Sequence, residues 1–341
     1  AIEHRVAAGA DVADEEIERR RTLANADDIA TLIYTSGSMG RPKGCVLTHS
    51  NFVELSRNSA LALKEVVSLP NSSTLLFITT AHVFARFISI LNIHAGVRTG
   101  HEPDTSNLLP ALASFKPTFL LAVPRVFEKV YNASEQKAEG EGKGKIFRMA
   151  AATAIEHSRL SEAGEKIPFG TRVKFALFDK LVYAKLRAAM GGRVAYAVSG
   201  SAPLGERLGH FFHSLGIVIL EGYGLTETTA PATVNLAHKS KIGTVGPALP
   251  GVGVRIDDEG EISIRGINVF KEYWRNPEAT AASFDDGWFK TGDLGAFDSD
   301  GFLTVTGRIK ELIVTAGGKN VAPAALEDPI RANPIVGQVV A

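Results

Sequence analysis

The sequence predicts a layered α/β domain followed by a smaller β-rich subdomain, on three observations. Before about Pro250, short β-branched runs alternate with helical stretches, the order that builds a largely parallel sheet covered by helices. From about Pro250 the texture changes to strand, turn and strand. The bulk composition agrees: 341 residues, 45% apolar, with 33 Gly and 15 Pro, suffice for one large core or two modest ones.

Taken in order, the runs Ile29 to Tyr34, Thr74 to Thr79, Thr118 to Val123, Val194 to Val198 and Ile217 to Leu220 are the expected strands. Ser50 or Asn51 is expected to cap a helix that runs through Val66. Val173, Leu177, Leu181, Ala184 and Ala188 recur at helical spacing until Gly191-Gly192 ends the pattern. Glu139 to Lys145, "EGEGKGK", is the one low-complexity stretch and reads as a solvated loop. Past Pro250, "GVRIDDEGEISIRG" alternates around the turn Asp258-Glu259-Gly260, and "DSDGFLTVTGR" opens another turn followed by a strand. The chain has no internal repeat.

The 37 basic and 37 acidic residues cancel, so no whole-molecule field favours nucleic acid or an anionic membrane, and any anion site has to be built locally. Cys45 is the single cysteine; it excludes an internal disulfide framework, suits a reducing compartment and reads as a small packed residue rather than a nucleophile. No apolar run reaches the roughly 18 residues of a membrane span. The opening "AIEHRVAAGADVADEEIERRR" lacks the apolar core of a signal peptide. A soluble protein is therefore expected.

Chemistry concentrates after the strand "ATLIY", in "TSGSMGRPKG". Gly37, Gly40 and Gly44 let the backbone approach an anion, Thr35, Ser36 and Ser38 supply hydroxyl donors, and Lys43 adds a mobile positive charge. This is not a Walker A loop, because Lys43 lies between Pro42 and Gly44 rather than after Gly and before Ser or Thr. A Gly-Ser surface turn is the alternative. In "EGYGLTET", Tyr223 offers a flat ring for a base, Thr226 a hydroxyl for a phosphate and Glu227 a hard oxygen for magnesium. Asp293 in "TGDLG" suits ribose hydroxyls or, equally, a β-turn. "SGSAPL", Ser199 to Leu204, reads as a strand-to-helix turn that presents backbone. His82, among apolar residues, is either a satisfied packing residue or a ligand-facing group.

"YTSGSMGRPKG" resembles the signature loop of the adenylate-forming superfamily, which includes acyl-CoA synthetases, luciferases and peptide-synthetase adenylation domains. Four further segments follow in that family's order. "TTAHVFARF" at 79–87 resembles its carboxylate-pocket motif and "EGYGLTET" at 221–228 its adenine and magnesium motif. "FKTGDLG" at 289–295 resembles its ribose motif and "GRIKELIVTAGGKNVAP" at 307–323 its hinge into a C-terminal domain. Within the superfamily, "AHVFAR", "AVSGSAPL", "GINVFKEYW" and "TAGGKNVAP" are most similar to bacterial long-chain fatty-acid–CoA ligases.

The resemblance implies an adenylate-forming N-terminal domain at 1–309 that lacks its N-terminal part, with the β-rich subdomain at about 250–309. Residues 310–341 would be the hinge and the start of a largely missing C-terminal cap domain. It implies Lys43, Thr226, Glu227 and Lys310 as catalytic residues and Thr35 and Glu227 as magnesium ligands. ATP or AMP contacts would come from Thr35, Ser36, Gly37, Ser38, Gly40, Lys43, Gly200, Ser201, Ala202, Glu221, Gly222, Tyr223, Gly224, Thr226, Asp293, Arg308 and Lys310. His82, Phe84 and Phe87, with Ile88, would line the acyl pocket. Met39 departs from the common loop, where a second threonine is usual.

The implied reaction uses a fatty acid, ATP, Mg²⁺ and coenzyme A, and no nucleic acid. It makes an acyl-adenylate with release of pyrophosphate, then an acyl thioester and AMP. A fatty carboxylate is ionised at neutral pH, so its attack on the α-phosphate needs alignment and charge neutralisation rather than a general base. Lacking the cap, the 341-residue chain is expected to bind ATP and acyl-adenylate weakly without accelerating adenylate formation. A fatty-acyl-AMP ligase serving a carrier protein and a non-catalytic nucleotide-binding module stay open. So do a homodimer and, for an otherwise cytoplasmic protein, peripheral contact at the inner face of a membrane. The last rests on seven basic against two acidic residues between Ala163 and Arg193, for which a solvated amphipathic helix is the alternative.

Overall fold

The computed structural model describes residues 7–35 and 41–314 continuously, together with residues 4, 320, 321, 323, 326, 327, 330, 336 and 339. After an exposed helix α1 (Asp14–Arg21), strand β1 (Ile29–Thr35) pairs antiparallel with β2 (Lys43–Thr48), which sets Thr35 opposite Lys43. The first expected strand is thus one arm of a hairpin, not a member of the parallel sheet. Helix α2 (His49–Ala62) is capped by Thr48, whose hydroxyl accepts from the Asn51 N–H while Asn51 reciprocates. That corrects the cap expected at Ser50 or Asn51, and a capping box explains why the neighbouring residue looked suitable. A short helix α3 (Lys64–Val67) completes the expected span.

Next come β3 (Ser73–Leu76), α4 (Val83–Ala95), β4 (Arg98–His101), α5 (Leu108–Phe115) and β5 (Phe119–Ala122). Two long antiparallel helices, α6 (Pro124–Gly140) and α7 (Gly144–Glu162), follow. The loop expected at 139–145 is therefore only the turn 141–143. Its Glu and Lys side chains tolerate helix, and Glu141 pairs with Lys143 at 2.8 Å. Helix α8 (Phe169–Phe178), a π turn at Asp179–Tyr183 and α9 (Ala184–Ala189) replace the single helix expected there. Gly191 ends it at φ +95°, and a Cβ at that position would lie 2.6 Å from the Leu112 carbonyl oxygen. Then follow β6 (Tyr196–Ser199), α10 (Glu206–Ser214), β7 (Val218–Leu225) and β8 (Ala230–Val234).

Strands β5, β6 and β7 run parallel, and β8 closes the sheet antiparallel in the order β5-β6-β7-β8. The period-2 geometry of a strand sends successive side chains to opposite faces. Accordingly Leu120, Ala122, Ala197 and Ile219 enter one apolar core, with Phe127, Phe211 and Tyr183. Phe119, Leu121, Val198 and Leu220 enter a second, with Phe84, Phe87 and Leu91. Both faces are buried, which is why these strands read as near-continuous apolar runs.

The remainder is antiparallel, as its turns predict. Strands β9 (Val252–Ile256) and β10 (Glu261–Gly266) flank the Asp258-Glu259-Gly260 turn. The short β11 (Glu272–Tyr273) leaves this region and joins β2 as a third strand beside the hairpin. After α11 (Pro277–Ala282) and β12 (Phe284–Asp285), the long β13 (Trp288–Phe297) and β14 (Leu303–Arg308) complete a five-stranded sheet. The excursion of β11 matters for the site, because it carries Tyr273 from the β-rich part to the side of Lys43.

Candidate active site

The carboxyl ends of β6 and β7, where ligands of open α/β sheets bind, face the β1–β2 hairpin and the turns of β13 and β14 across a cavity of about 620 Å³. Thr35 and Lys43 line it from the hairpin, Gly200 and Ser201 from the end of β6, and Gly222 to Glu227 from β7 and the turn after it. Arg308 and Lys310 line the opposite side. Segments more than 250 residues apart in sequence thus share one space. Ser36, Gly37, Ser38 and Gly40 lie outside the described residues, so the centre of the expected phosphate loop has no structural account.

One wall carries a satisfied polar triad. The Tyr223 hydroxyl donates to Asp293 Oδ2 at 2.7 Å, and Arg308 Nε donates to Oδ1 at 2.7 Å. The Asp293 N–H donates to the Thr291 hydroxyl at 3.1 Å. The register produces this, since Asp293 in β13 stands opposite Arg308 in β14. Burial, then the Asp293 charge, push the Tyr223 hydroxyl well above its ordinary range, so Tyr223 stays a protonated donor. The hydrogen bond to Asp293 raises Arg308 further. Asp293 itself is buried behind the cavity surface and holds the ring that faces it.

The second wall is built on Glu227, which is 8% exposed. The Tyr273 hydroxyl donates to Glu227 Oε1 at 2.8 Å, and Lys43 Nζ sits 4.6 Å from the centroid of the same tyrosine ring. Cys45 lies fully buried against Glu227; burial first, and the carboxylate second, push its thiol up, so it is inert packing as expected. The turn that presents Glu227 is locked. The Leu225 N–H donates to the Thr228 hydroxyl at 2.8 Å, that hydroxyl donates to the Ala230 carbonyl at 2.9 Å, and Thr229 and Ala230 take left-handed φ of +54° and +87°. Such strain persists only where surroundings over-determine it. A Cβ on Gly224 would meet the Ala230 carbonyl oxygen at 1.7 Å, so only glycine fits there.

A buried carboxylate is costly without a cation, and among the described residues Glu227 forms no ion pair. Nor is there, among them, a cluster of three His, Cys, Asp or Glu side chains able to hold a metal. A single buried carboxylate at the cavity wall fits magnesium, which keeps water and substrate oxygens and takes only one or two protein carboxylates. Glu227 would hold the ion; Thr35, whose hydroxyl lies 3.4 Å from the Lys43 carbonyl across the hairpin, is a cavity-lining neighbour.

His82 is neither buried nor a packing residue. It is exposed at the cavity rim, where its Nδ1 accepts the Phe84 N–H at 3.3 Å and caps α4. Phe84 and Phe87 belong to the second core and line the cavity from beneath. Gly200 lines the cavity at the strand end, where an added Cβ would stand 3.6 Å from the Phe84 ring, and Ser201 holds a left-handed φ of +71° at the lip. Ala202 and Glu221 do not line the cavity. Glu221 is buried, and its Oε2 accepts the Leu204 N–H at 3.0 Å, tying down the Ser199-to-Leu204 turn. Burial pushes the Glu221 carboxyl up.

Sequence reasoning missed Tyr273, Thr291 and Glu261, all at the cavity. Glu261 Oε1 accepts the Gly292 N–H at 3.0 Å and so shapes the turn that carries Asp293. Tyr273 lay inside a segment used only for its resemblance, and a role for it depended on β11 pairing with β2, which no local pattern announces.

The AMP-binding enzyme family matches residues 3–274. The long-chain-fatty-acid–CoA ligase FadD15 of Mycobacterium bovis is 53% identical over 340 residues, which cover 100% of this chain and 56% of the relative. Long chain acyl-CoA synthetase 3 of Arabidopsis thaliana is 32% identical over 91% of this chain and 48% of its own length. Among solved structures, ATP-bound MatB from Rhodopseudomonas palustris superposes with a TM-score of 0.68 at 29% identity, covering 91% of this chain and 54% of MatB. The O-succinylbenzoate coenzyme A synthetase MenE of Bacillus subtilis with AMP shares the fold, with a TM-score of 0.69 at 23% identity over 92% and 56% of the two chains. The chain spans about half the length of the curated relatives it matches.

Proposed function

The chain belongs to the AMP-binding enzyme family, and from that premise we propose that it is the nucleotide-binding part of a long-chain fatty-acid–CoA ligase. The observation that carries the reading is the convergence of Lys43, Tyr223, Glu227 and Arg308 on one cavity with apolar walls from Phe84 and Phe87, while Asp293 holds Tyr223 and Arg308 from behind. In the first step a carboxylate oxygen of the fatty acid bonds to the α-phosphorus of ATP while the α–β phosphoanhydride breaks and pyrophosphate leaves. In the second the thiol of CoA attacks the acyl carbonyl, loses its proton, and AMP leaves.

The residues divide this work. Tyr223, aimed by Asp293, offers its ring to adenine, and Arg308, fixed by the same carboxylate, faces the ribose. Lys43 and the hydroxyls of Thr35 and Thr226 neutralise and orient phosphate oxygens. Magnesium bound at Glu227 would supply charge stabilisation for the leaving pyrophosphate. Gly200, Ser201 and Gly222 leave room for the base, and His82 stands where the acyl group would enter. Gly307 to Lys310 would be a hinge, with Lys310 near the pivot and residues 310–341 opening a cap domain, because two steps with different attacking groups are served by a moving lid. A cytoplasmic setting fits the single buried cysteine.

The test is fatty-acid-dependent exchange of pyrophosphate into ATP, followed by CoA thioester formation, on a protein of the relatives' full length that contains this chain. Exchange with palmitate and thioester formation are expected. Exchange without a thioester would make it a fatty-acyl-AMP ligase, and ATP binding without exchange a non-catalytic module.

A further inference from the structure

The segment from Phe169 to Ala189 presents an outer face that an ordinary solvated helix would not. Phe169, Val173, Leu177 and Leu181 are 79%, 52%, 55% and 47% exposed, although a solvated helix places polar residues on its outer side. The spacing of four makes them one stripe. Such steps drift by about 40° each in an α-helix, and the π turn at Asp179–Tyr183, wound more widely, brings Leu181 back into line. Exposed cations flank the stripe: Lys166, Arg172, Lys174, Lys180, Lys185 and Arg193. Of the two acids within the segment, Asp179 is neutralised by Arg187 at 2.7 Å, which leaves Glu165; from the packed helices, Glu156 meets Thr171 and Glu141 lies within electrostatic reach of Lys185.

The inner side is firmly seated on α7. The Tyr183 hydroxyl donates to the Ala150 carbonyl at 2.7 Å, Phe175 stacks on His157 with centroids 4.1 Å apart, and Thr171 donates to Glu156 at 3.1 Å. The outer stripe is therefore displayed by a fixed scaffold rather than left over from a loose helix.

We propose that this face docks on an anionic lipid surface, with the stripe in the headgroup boundary and the flanking cations against lipid phosphates. An apolar stripe bordered by an excess of positive charge complements a diffuse, negatively charged apolar layer. Resting on the function proposed above, the location also suits a substrate that partitions into membranes.

Cosedimentation of the chain with vesicles, without ATP or fatty acid, tests this apart from catalysis. Vesicles of equal parts phosphatidylcholine and phosphatidylglycerol should retain the chain, and phosphatidylcholine vesicles should not. The pair Lys174→Glu and Lys185→Glu should weaken partitioning at least twentyfold, since each cation near such a surface contributes roughly fivefold. Phe169→Ser with Leu177→Ser should weaken it comparably. Leu61→Ser, also exposed at 74% but on α2, should not change it, and circular dichroism should show all variants folded. Unchanged cosedimentation of the charge-reversed or serine variants would overturn the proposal. So would a concentration-dependent dimer that Phe169→Ser with Leu177→Ser dissociates, because the face would then belong to a second copy.

Discussion

Two buried carboxylates serve the same cavity, Glu227 at its surface and Asp293 behind the Tyr223 ring, and their surroundings differ. Asp293 is compensated on both oxygens, by a guanidinium and a phenol. Glu227 has a phenol and a thiol against it and, among the described residues, no cationic partner in an ion pair. The first arrangement is a finished structural element that aims Tyr223 and fixes Arg308. The second leaves negative charge facing the cavity, where a divalent cation would be stabilised. On the function proposed above, the difference would separate two parts of nucleotide recognition, with Asp293 serving the nucleoside side and Glu227 the phosphates and their metal.

The largest effect expected from this contrast is at Glu227. Glu227→Gln keeps the shape and the hydrogen bond from Tyr273 but removes the charge, so pyrophosphate exchange should fall about a hundredfold to a thousandfold. Thermal stability should hold or rise, because a buried charge disappears. Exchange that survives at limiting magnesium would remove the metal from this wall.

A smaller effect is expected at Tyr273, which positions Glu227 through its hydroxyl. Tyr273→Phe strips one donor from a buried carboxylate, at a cost of about 1–3 kcal/mol in stability. Its activity should recover as magnesium is raised, with the half-saturating magnesium concentration shifted upward, whereas a merely structural defect would not respond to the metal. Burial pushes the Tyr273 hydroxyl further above its ordinary range, so no ionisation of this residue should shape the activity profile between about pH 6 and pH 9.

The smallest effect concerns Glu221, a third buried acid away from the cavity surface. Its folded-state carboxyl is raised above the ordinary 4.5 by burial, which the Leu204 N–H only partly offsets. The folded chain therefore holds this proton more tightly than the unfolded chain, and that contribution to stability, full below about pH 4.5, is lost as pH rises through the raised value. Glu221→Gln should raise the melting temperature at about pH 7 and leave it nearly unchanged at about pH 4. Equal shifts at both pH values would show that burial of the charge is not what the substitution relieves.

Much of this was legible before any coordinates. The parallel strands were readable because both faces of β5, β6 and β7 are buried, which writes apolar runs into Phe119–Ala122 and Val218–Leu220. The strand pair around Asp258-Glu259-Gly260 was readable from its turn. The π turn was not, because Val173, Leu177 and Leu181 keep the same spacing through it. Tyr223, Glu227 and Asp293 were legible as chemistry, and their grouping only through the family resemblance, because the Tyr223–Asp293 hydrogen bond spans 70 residues that no local pattern bridges. The place of His82 at the rim rather than in the core depended on α4 starting at the very next residue.

The division of labour between the two acids is tested most directly by binding, on this chain as it stands, of AMP without metal and of ATP with magnesium. Titration calorimetry of Asp293→Asn should show both ligands weakened alike, about tenfold to a hundredfold, the range for a hydrogen bond to a charged group. Glu227→Gln should weaken magnesium-ATP while leaving AMP within about twofold of the parent. Loss of AMP affinity in Glu227→Gln as large as in Asp293→Asn would contradict the account.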